Sequence, residues 1–273
     1  MKKTILSLLA IATIISYTSC KDDESTTTPD DKTGTTDELH SAFGEFSDNV
    51  TVTRSNGEVT IISNGYPDHK SPYWSNTTER TINGPMGEHT TKAAAENHAL
   101  FEEPTVTSYN QMAPGNIDDF NGSYSLTVSE TPTKASSTSS TGLGAIGIAR
   151  SGGMIYNDEE GPNVPLDDAV GSLDKSGAHT GPQSYHYHLE PKHWSEDDDK
   201  LIGIISDGFF LYGRKCNSTG AYPTDLDASG GHTSTTQHTT DAEYHYHIQN
   251  DLYLGSYYIL FPGDYQGSAS SIR

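Results

Sequence analysis

Cysteine is nearly absent: Cys20 and Cys216 are the only two in 273 residues. Basic side chains are scarce as well, with 16 Lys and Arg against 37 Asp and Glu, for a formal net charge of −21. Attraction to phosphate backbones or anionic lipid surfaces draws on clustered Lys and Arg, so this balance sets nucleic acid aside as a partner. Past Cys20 no run approaches the roughly 18–20 consecutive apolar residues of a membrane-spanning helix, which excludes helical transporters and channels. Familiar catalytic signatures are also missing. Ile204 stands where a nucleophile elbow around Ser206 needs glycine, and no His-Glu-x-x-His occurs. The acidic run Glu196–Asp199 lacks the spaced ligands and glycine of a calcium loop. Gly142, Gly144 and Gly147 spell a dinucleotide fingerprint but lead into a predicted strand instead of a helix.

What is abundant is histidine, 12 residues of it, the side chain most often recruited as a metal ligand.

The N-terminus has the order of a signal peptide: Lys2 and Lys3, an apolar run from Ile5 to Ile15, then small or polar residues up to Cys20. The run is too short to span a bilayer and ends on cysteine, so residues 1–20 resemble a bacterial lipoprotein signal with Cys20 acylated, although Tyr17 is atypical there. Lys21, Asp22, Asp23 and Glu24 resemble the lysine-plus-acid signal that sends some Gram-negative lipoproteins to the outer face. The expectation is a lipid-anchored outer-membrane protein facing the cell exterior. With Cys20 acylated, Cys216 is the lone thiol and no intramolecular disulfide can form. Nothing near it in sequence makes a Cys-His arrangement, so it reads as a buried or free thiol. Residues 21–42, rich in Thr and Asp and without apolar periodicity, read as a disordered tether ahead of a folded domain at 43–273.

Two β-prone runs, Val50–Thr53 and Val59–Ile62, flank Asn56-Gly57, the strongest short-range hairpin signal. Residues 91–103 have the composition of a short inserted helix stopped by Pro104. Elsewhere short β-branched runs alternate with turn residues. The expected fold is mainly β, a sandwich- or barrel-like domain with long loops.

The chain repeats itself. Ile146-Gly147-Ile148, Gly152 and Ile155-Tyr156 align without gaps on Ile202-Gly203-Ile204, Gly208 and Leu211-Tyr212. Further on, His179-Thr180 and the word Tyr185-His186-Tyr187-His188 match His232-Thr233 and Tyr244-His245-Tyr246-His247. Units at about 144–190 and 200–249 are too few for a solenoid. They predict a duplicated unit folded face to face about a pseudo-twofold axis, with equivalent residues brought together in pairs.

On a strand, alternate residues share a face, so His186 and His188 stand about 7 Å apart opposite Tyr185 and Tyr187. His245 and His247 repeat the arrangement. Imidazoles at that separation can lean onto one ion at metal–nitrogen distances of about 2.0–2.1 Å. Two pairs could supply four ligands to one ion, or His179 and His232 could complete two separate sites. Imidazole suits zinc, copper, iron and nickel, and copper binds most tightly among the divalent ions, so copper or zinc is the expected ion. Asp207 occurs in one repeat only, with Ser151 as its counterpart, and is either a turn residue or a functional acid. His69 is a further candidate ligand or a loop hydrogen-bonder.

Taken together these words resemble the YHYH-domain family over Asn64 to Gly267. The resemblance rests on Ser63-Asn64-Gly65 with Pro67-Asp68-His69, Pro132–Ser136, Gly144–Gly147, Asp207-Gly208-Phe209 with Tyr212-Gly213, both Tyr-His-Tyr-His words and the His-Thr before each. It implies no established reaction. Family members often carry cysteine shortly before the loop histidine, where this chain has Ser176 and Ser229, so no cysteine-based role transfers to those places.

The functional expectation is therefore a surface-anchored β protein that captures or stores copper or zinc, or uses the ion structurally, through His186, His188, His245 and His247. One alternative is a metal-dependent enzyme with Asp207 as base or orienter. Another is a metal-free module that binds glycans or proteins through its tyrosines. No motif identifies a protein partner.

Overall fold

The computed structural model describes residues 38–71, 73, 79–84, 87–92, 122–170, 173–181 and 184–273. The compact unit runs Glu38–Arg273. It starts ahead of Phe43: Ser41–Glu45 form a 3-10 turn capped by His40, whose Nδ1 accepts the Ala42 N–H at 3.2 Å, and Ala42 is fully buried.

Strands β1 (Val50–Ser55) and β2 (Glu58–Ser63) form the hairpin that Asn-Gly predicts, with Asn56 and Gly57 both at positive φ. A separate hairpin pairs β3 (Glu79–Gly84) with β4 (Gly87–Lys92). Thr91 and Lys92, the start of the predicted helix, are strand residues paired to β3, and the rest of that helix lies outside the described residues. Strand β5 (Tyr124–Ser129) joins β2 to complete a three-stranded sheet.

The repeats build a curled, mixed eight-stranded sheet, a half-barrel. The first supplies β6 (Gly147–Ala149) and β7 (Met154–Ile155), then a small hairpin outside the large sheet, β8 (Glu159–Gly161) with β9 (Val164–Pro165), then β10 (Ala178–Thr180) and β11 (Tyr185–Tyr187). The second supplies β12 (Leu201–Ile205), β13 (Phe210–Tyr212), β14 (Gly231–Ser234) and β15 (Glu243–His247). The order β10-β11-β7-β6-β12-β13-β15-β14 reads the same from either end in terms of the repeat. Each half is an antiparallel hairpin, a parallel step and an antiparallel edge strand.

The halves therefore lie side by side in one sheet and not face to face, which corrects the expectation from the repeat. They join where β6 pairs antiparallel with β12, and Ile148 sits opposite its own counterpart Ile204. Glycine makes this seam possible: a Cβ on Gly203 would lie 2.3 Å from the Ile148 carbonyl oxygen, and one on Gly147 would lie 2.6 Å from that of Ile204. Repeats that bond edge to edge carry their outer strands away from each other.

The two faces of this sheet have separate cores. On one, Val59, Ile61, Leu126 and Val128 of the three-stranded sheet cover Ile148, Met154, Ile204 and Tyr212 of the four central strands. On the other, Tyr185, Tyr187 and Tyr246 pack with Ile155, Leu211, Leu260 and Phe261. At about 25 cal/mol per Å² these apolar faces supply the main driving force for the fold. Register then fixes the histidines: His186 pairs with Met154 and His247 with Tyr212, so the imidazoles share the face of the three-stranded sheet and sit beside it on the outer strands.

Candidate metal centre

The third histidine of each cluster is placed by an aspartate that the two repeats share, in Asp174-Lys-Ser-Gly-Ala-His179-Thr and Asp227-Ala-Ser-Gly-Gly-His232-Thr. Oδ1 of Asp174 accepts the N–H groups of Ser176 and Ala178 at 2.8 and 3.3 Å. Oδ1 of Asp227 accepts those of Ser229 and Gly231 at 3.0 and 3.1 Å. The same carboxylates accept the hydroxyl of the first tyrosine in each word, Tyr185 at 2.5 Å and Tyr244 at 3.0 Å. One acid thus ties the histidine loop to the back of the neighbouring strand. His179 consequently stands opposite His186, and His232 opposite His245.

All six imidazoles are buried; His179 and His232, the most exposed, retain 8% of their surface. Burial holds the proton off five of them, His179, His186, His188, His245 and His247. It lowers His179 to about 3, helped by His188, and lowers His188 to about 4 against the pull of the Asn157 carbonyl. His245 and His247 both fall to about 4, again chiefly through burial, and His186 lies well below the ordinary value for the same reason. Near neutral pH these five rings are neutral ligands.

In the second repeat the ring protons can be assigned. Nδ1 of His245 faces the Glu243 carbonyl at 3.0 Å and Nδ1 of His247 faces the Gly213 carbonyl at 2.7 Å. A carbonyl only accepts, so both Nδ1 atoms carry hydrogen and both Nε2 atoms present lone pairs. Nδ1 of His232 donates to Asp225 at 2.8 Å, which holds the Asp225 carboxyl below its usual range. The three Nε2 atoms converge on Cys216: His245 and His247 are 3.1 Å apart, and Sγ is 3.5 Å from His232. All four donor atoms lie within 4.8 Å of one another. A tetrahedral ion at about 2.05 Å from nitrogen and 2.3 Å from sulfur sets N–N near 3.3 Å and N–S near 3.6 Å. Burial raises the Cys216 thiol, but the Ser218 and Ser234 hydroxyls and His232 outweigh it and hold the thiol below its ordinary value.

In the first repeat His179, His186 and His188 form the corresponding group. His188 repeats its twin's tautomer, with Nδ1 against the Asn157 carbonyl at 2.7 Å. The two groups are separate: four strands stand between β11 and β15, so one ion shared by His186, His188, His245 and His247 is not formed. Of the two arrangements left open by the sequence, the structure assembles the one in which the loop histidines complete separate clusters.

The remaining candidates belong to the tyrosine side. Oδ2 of Asp207 accepts the Tyr246 hydroxyl at 2.6 Å and the Gly267 N–H at 3.0 Å, and burial raises its carboxyl despite those bonds. It stands behind β15, away from the imidazoles. Its counterpart Ser151 meets the Tyr187 hydroxyl at 2.8 Å, so the asymmetry between the repeats concerns how a buried tyrosine is held. His69 also meets the Tyr187 hydroxyl, at 2.8 Å through Nε2, and Nδ1 donates to the Lys70 carbonyl; it joins neither cluster. Tyr185, Tyr187 and Tyr246 are buried in the core and offer no binding platform. Cys20 lies outside the described residues.

Cys216 is the site residue that the sequence reading missed, because no histidine neighbours it along the chain. The signal was present in the repeat: the gapless register that sets Ile155-Tyr156 on Leu211-Tyr212 continues to set Glu160 on Cys216.

No curated protein and no solved structure matches the chain. Residues 124–224 match the model of a family described as YHYH protein, a stretch that holds the first word and its loop histidine together with Glu160 and Cys216 and ends ahead of His232. The chain is thus similar to the YHYH family over that stretch, and the second word, on a paired strand of the same duplicated sheet, lies beyond it.

Proposed function

We propose that this protein binds copper or zinc through Cys216, His232, His245 and His247 and serves to hold that ion, in capture or storage. The observation that carries the reading is the pair of Nε2 lone pairs of His245 and His247, turned on each other at 3.1 Å with both ring protons committed to carbonyls. Two neutral acceptors at that distance repel unless a cation sits beside them, and the N–S contact has the length a tetrahedral ion imposes. Three imidazoles and a thiolate suit zinc and either oxidation state of copper. Each histidine is oriented by a carbonyl or a carboxylate on its far nitrogen, the outer-shell arrangement that raises ligand basicity. Four protein donors leave no position for a substrate, which favours holding over turnover. The lipoprotein-like leader makes the cell surface the proposed place of action, tested by protease shaving of intact cells: failure to release the domain would place it inside.

The test is elemental mass spectrometry of the full chain purified without a histidine tag, beside Cys216→Ser and His247→Ala. Near-stoichiometric copper or zinc that falls in both variants supports the reading. Folded wild type that stays empty after copper and zinc are supplied overturns it.

A further inference from the structure

The geometry points to a second, unequal metal site in the first repeat, in which Glu160 takes the place of Cys216 and closes the set His179, His186 and His188 around a divalent ion. This rests on the same reading of the imidazoles as lone-pair donors. Oε1 of Glu160 lies 3.3 Å from Nε2 of His179 and 3.5 Å from Nε2 of His188. An ion at about 2.05 Å from nitrogen and 2.0–2.2 Å from carboxylate oxygen sets N–O at roughly 3.3–3.5 Å. Among the described residues Nε2 of His188 has no hydrogen-bond partner, although the side chain is only 1% exposed. Its proton is on Nδ1, given to the Asn157 carbonyl, so Nε2 presents a lone pair to a carboxylate that is itself an acceptor. A lone pair and a carboxylate oxygen that face each other at this distance, with the ring proton committed elsewhere, are held together by a cation placed between them.

The two sites differ in chemistry and in access. Carboxylate oxygen is the harder donor and favours a divalent ion such as zinc over copper(I), which thiolate prefers. The Glu160 side chain keeps 26% of its surface and sits on β8, in a two-stranded hairpin outside the large sheet, whereas Cys216 is 1% exposed. An arm at the surface can leave the ion, so the glutamate site exchanges with solvent while the cysteine site retains its metal.

Cobalt(II) titration of the full chain separates them, because thiolate-bound cobalt alone shows a strong near-ultraviolet charge-transfer band. Wild type is expected to take two cobalt ions, one with the band, and a chelator should remove the bandless ion first. Glu160→Gln, a neutral isostere that guards against misfolding, and Glu160→Ala should each weaken the bandless ion by more than roughly 100-fold, beyond the loss of an outer-shell partner. Cys216→Ser should abolish the band and keep the other ion. A single cobalt with the band, indifferent to both Glu160 variants, overturns the second site and leaves the cysteine site standing. A single bandless cobalt lost in Glu160→Gln supports the second site while the cysteine site falls. Folded protein that takes no cobalt overturns both.

Discussion

The two repeats build the same imidazole triad by the same means and then close it with different atoms. In each, an aspartate pins the loop, a strand word supplies two rings, and a carbonyl after the preceding strand, Asn157 or Gly213, sets the tautomer of the last histidine. The fourth corner is a half-exposed carboxylate in one and a buried thiol in the other. Duplication preserved what places the histidines and varied the fourth side chain, which on the proposed reading sets hardness and exchange. The sharpest way to break this comparison is to remove an equivalent histidine from each half. His247→Ala should empty the cysteine site and spare the glutamate site, and His188→Ala should do the reverse. Each loss should exceed about 100-fold in affinity, read by metal content and competition with a chelator. If either variant empties both sites, the pockets are not independent.

Acid should weaken the metal-free protein through the same rings. Unfolded histidines bind protons near 6.5, whereas His188, His245 and His247 are held at about 4 and His179 at about 3 in the fold. Between those limits the unfolded chain binds more protons than the folded one, so stability rises with pH. The contribution is fully present above 6.5 and is lost as pH falls toward 4. Denaturation midpoints of the chelated protein should drop through that window. Removing His245 and His247 together should lessen the slope from 6.5 to 4 without abolishing it, because His179, His186 and His188 still contribute, and His179→Gln should lessen both that slope and its continuation below 4. An unchanged pH profile would show that these rings are not buried neutral.

The words and the duplication were legible because they are local: alternate residues on a strand share a face whatever surrounds them. The Asn-Gly hairpin was legible for the same reason, since its two positive-φ residues depend only on their own backbone. The seam was not. Whether two halves stack or bond edge to edge depends on how closely backbones approach at Gly147 and Gly203, and glycine reads in a sequence as a turn. Cys216 and Glu160 were hidden because each meets histidines that stand 16 or more residues further along the chain. The part played by Asp207 was hidden because its partner Tyr246 lies on a strand far along the chain. Repeat alignment carried past the obvious words would have exposed the fourth member of each cluster, and the shared Asp-x-Ser-Gly-x-His-Thr would have exposed the loop acids.

A smaller effect tests the outer shell. His232 donates to the carboxylate of Asp225, whereas His245 and His247 donate to neutral carbonyls. Asp225→Asn keeps the shape and removes the charge, so affinity at the cysteine site should fall about 10–100-fold while the glutamate site is untouched. Equal weakening of both would mean that the variant disturbs the sheet and not one ligand.

The smallest effect lies behind the strands. The Tyr246 hydroxyl donates to the buried carboxylate of Asp207, and the Tyr187 hydroxyl meets the neutral Ser151 and His69. Bonds to charged groups contribute about 1.5–3 kcal/mol and neutral ones about 0.5–1.5 kcal/mol. Tyr246→Phe should therefore lower unfolding free energy more than Tyr187→Phe, since it also leaves Asp207 with only backbone donors for its carboxylate. The Asp207→Ser variant, which writes the first repeat's residue into the second, should bring the two phenylalanine penalties together. If it does, the acid serves the packing of Tyr246, and the chemical difference between the repeats is confined to Cys216 and Glu160.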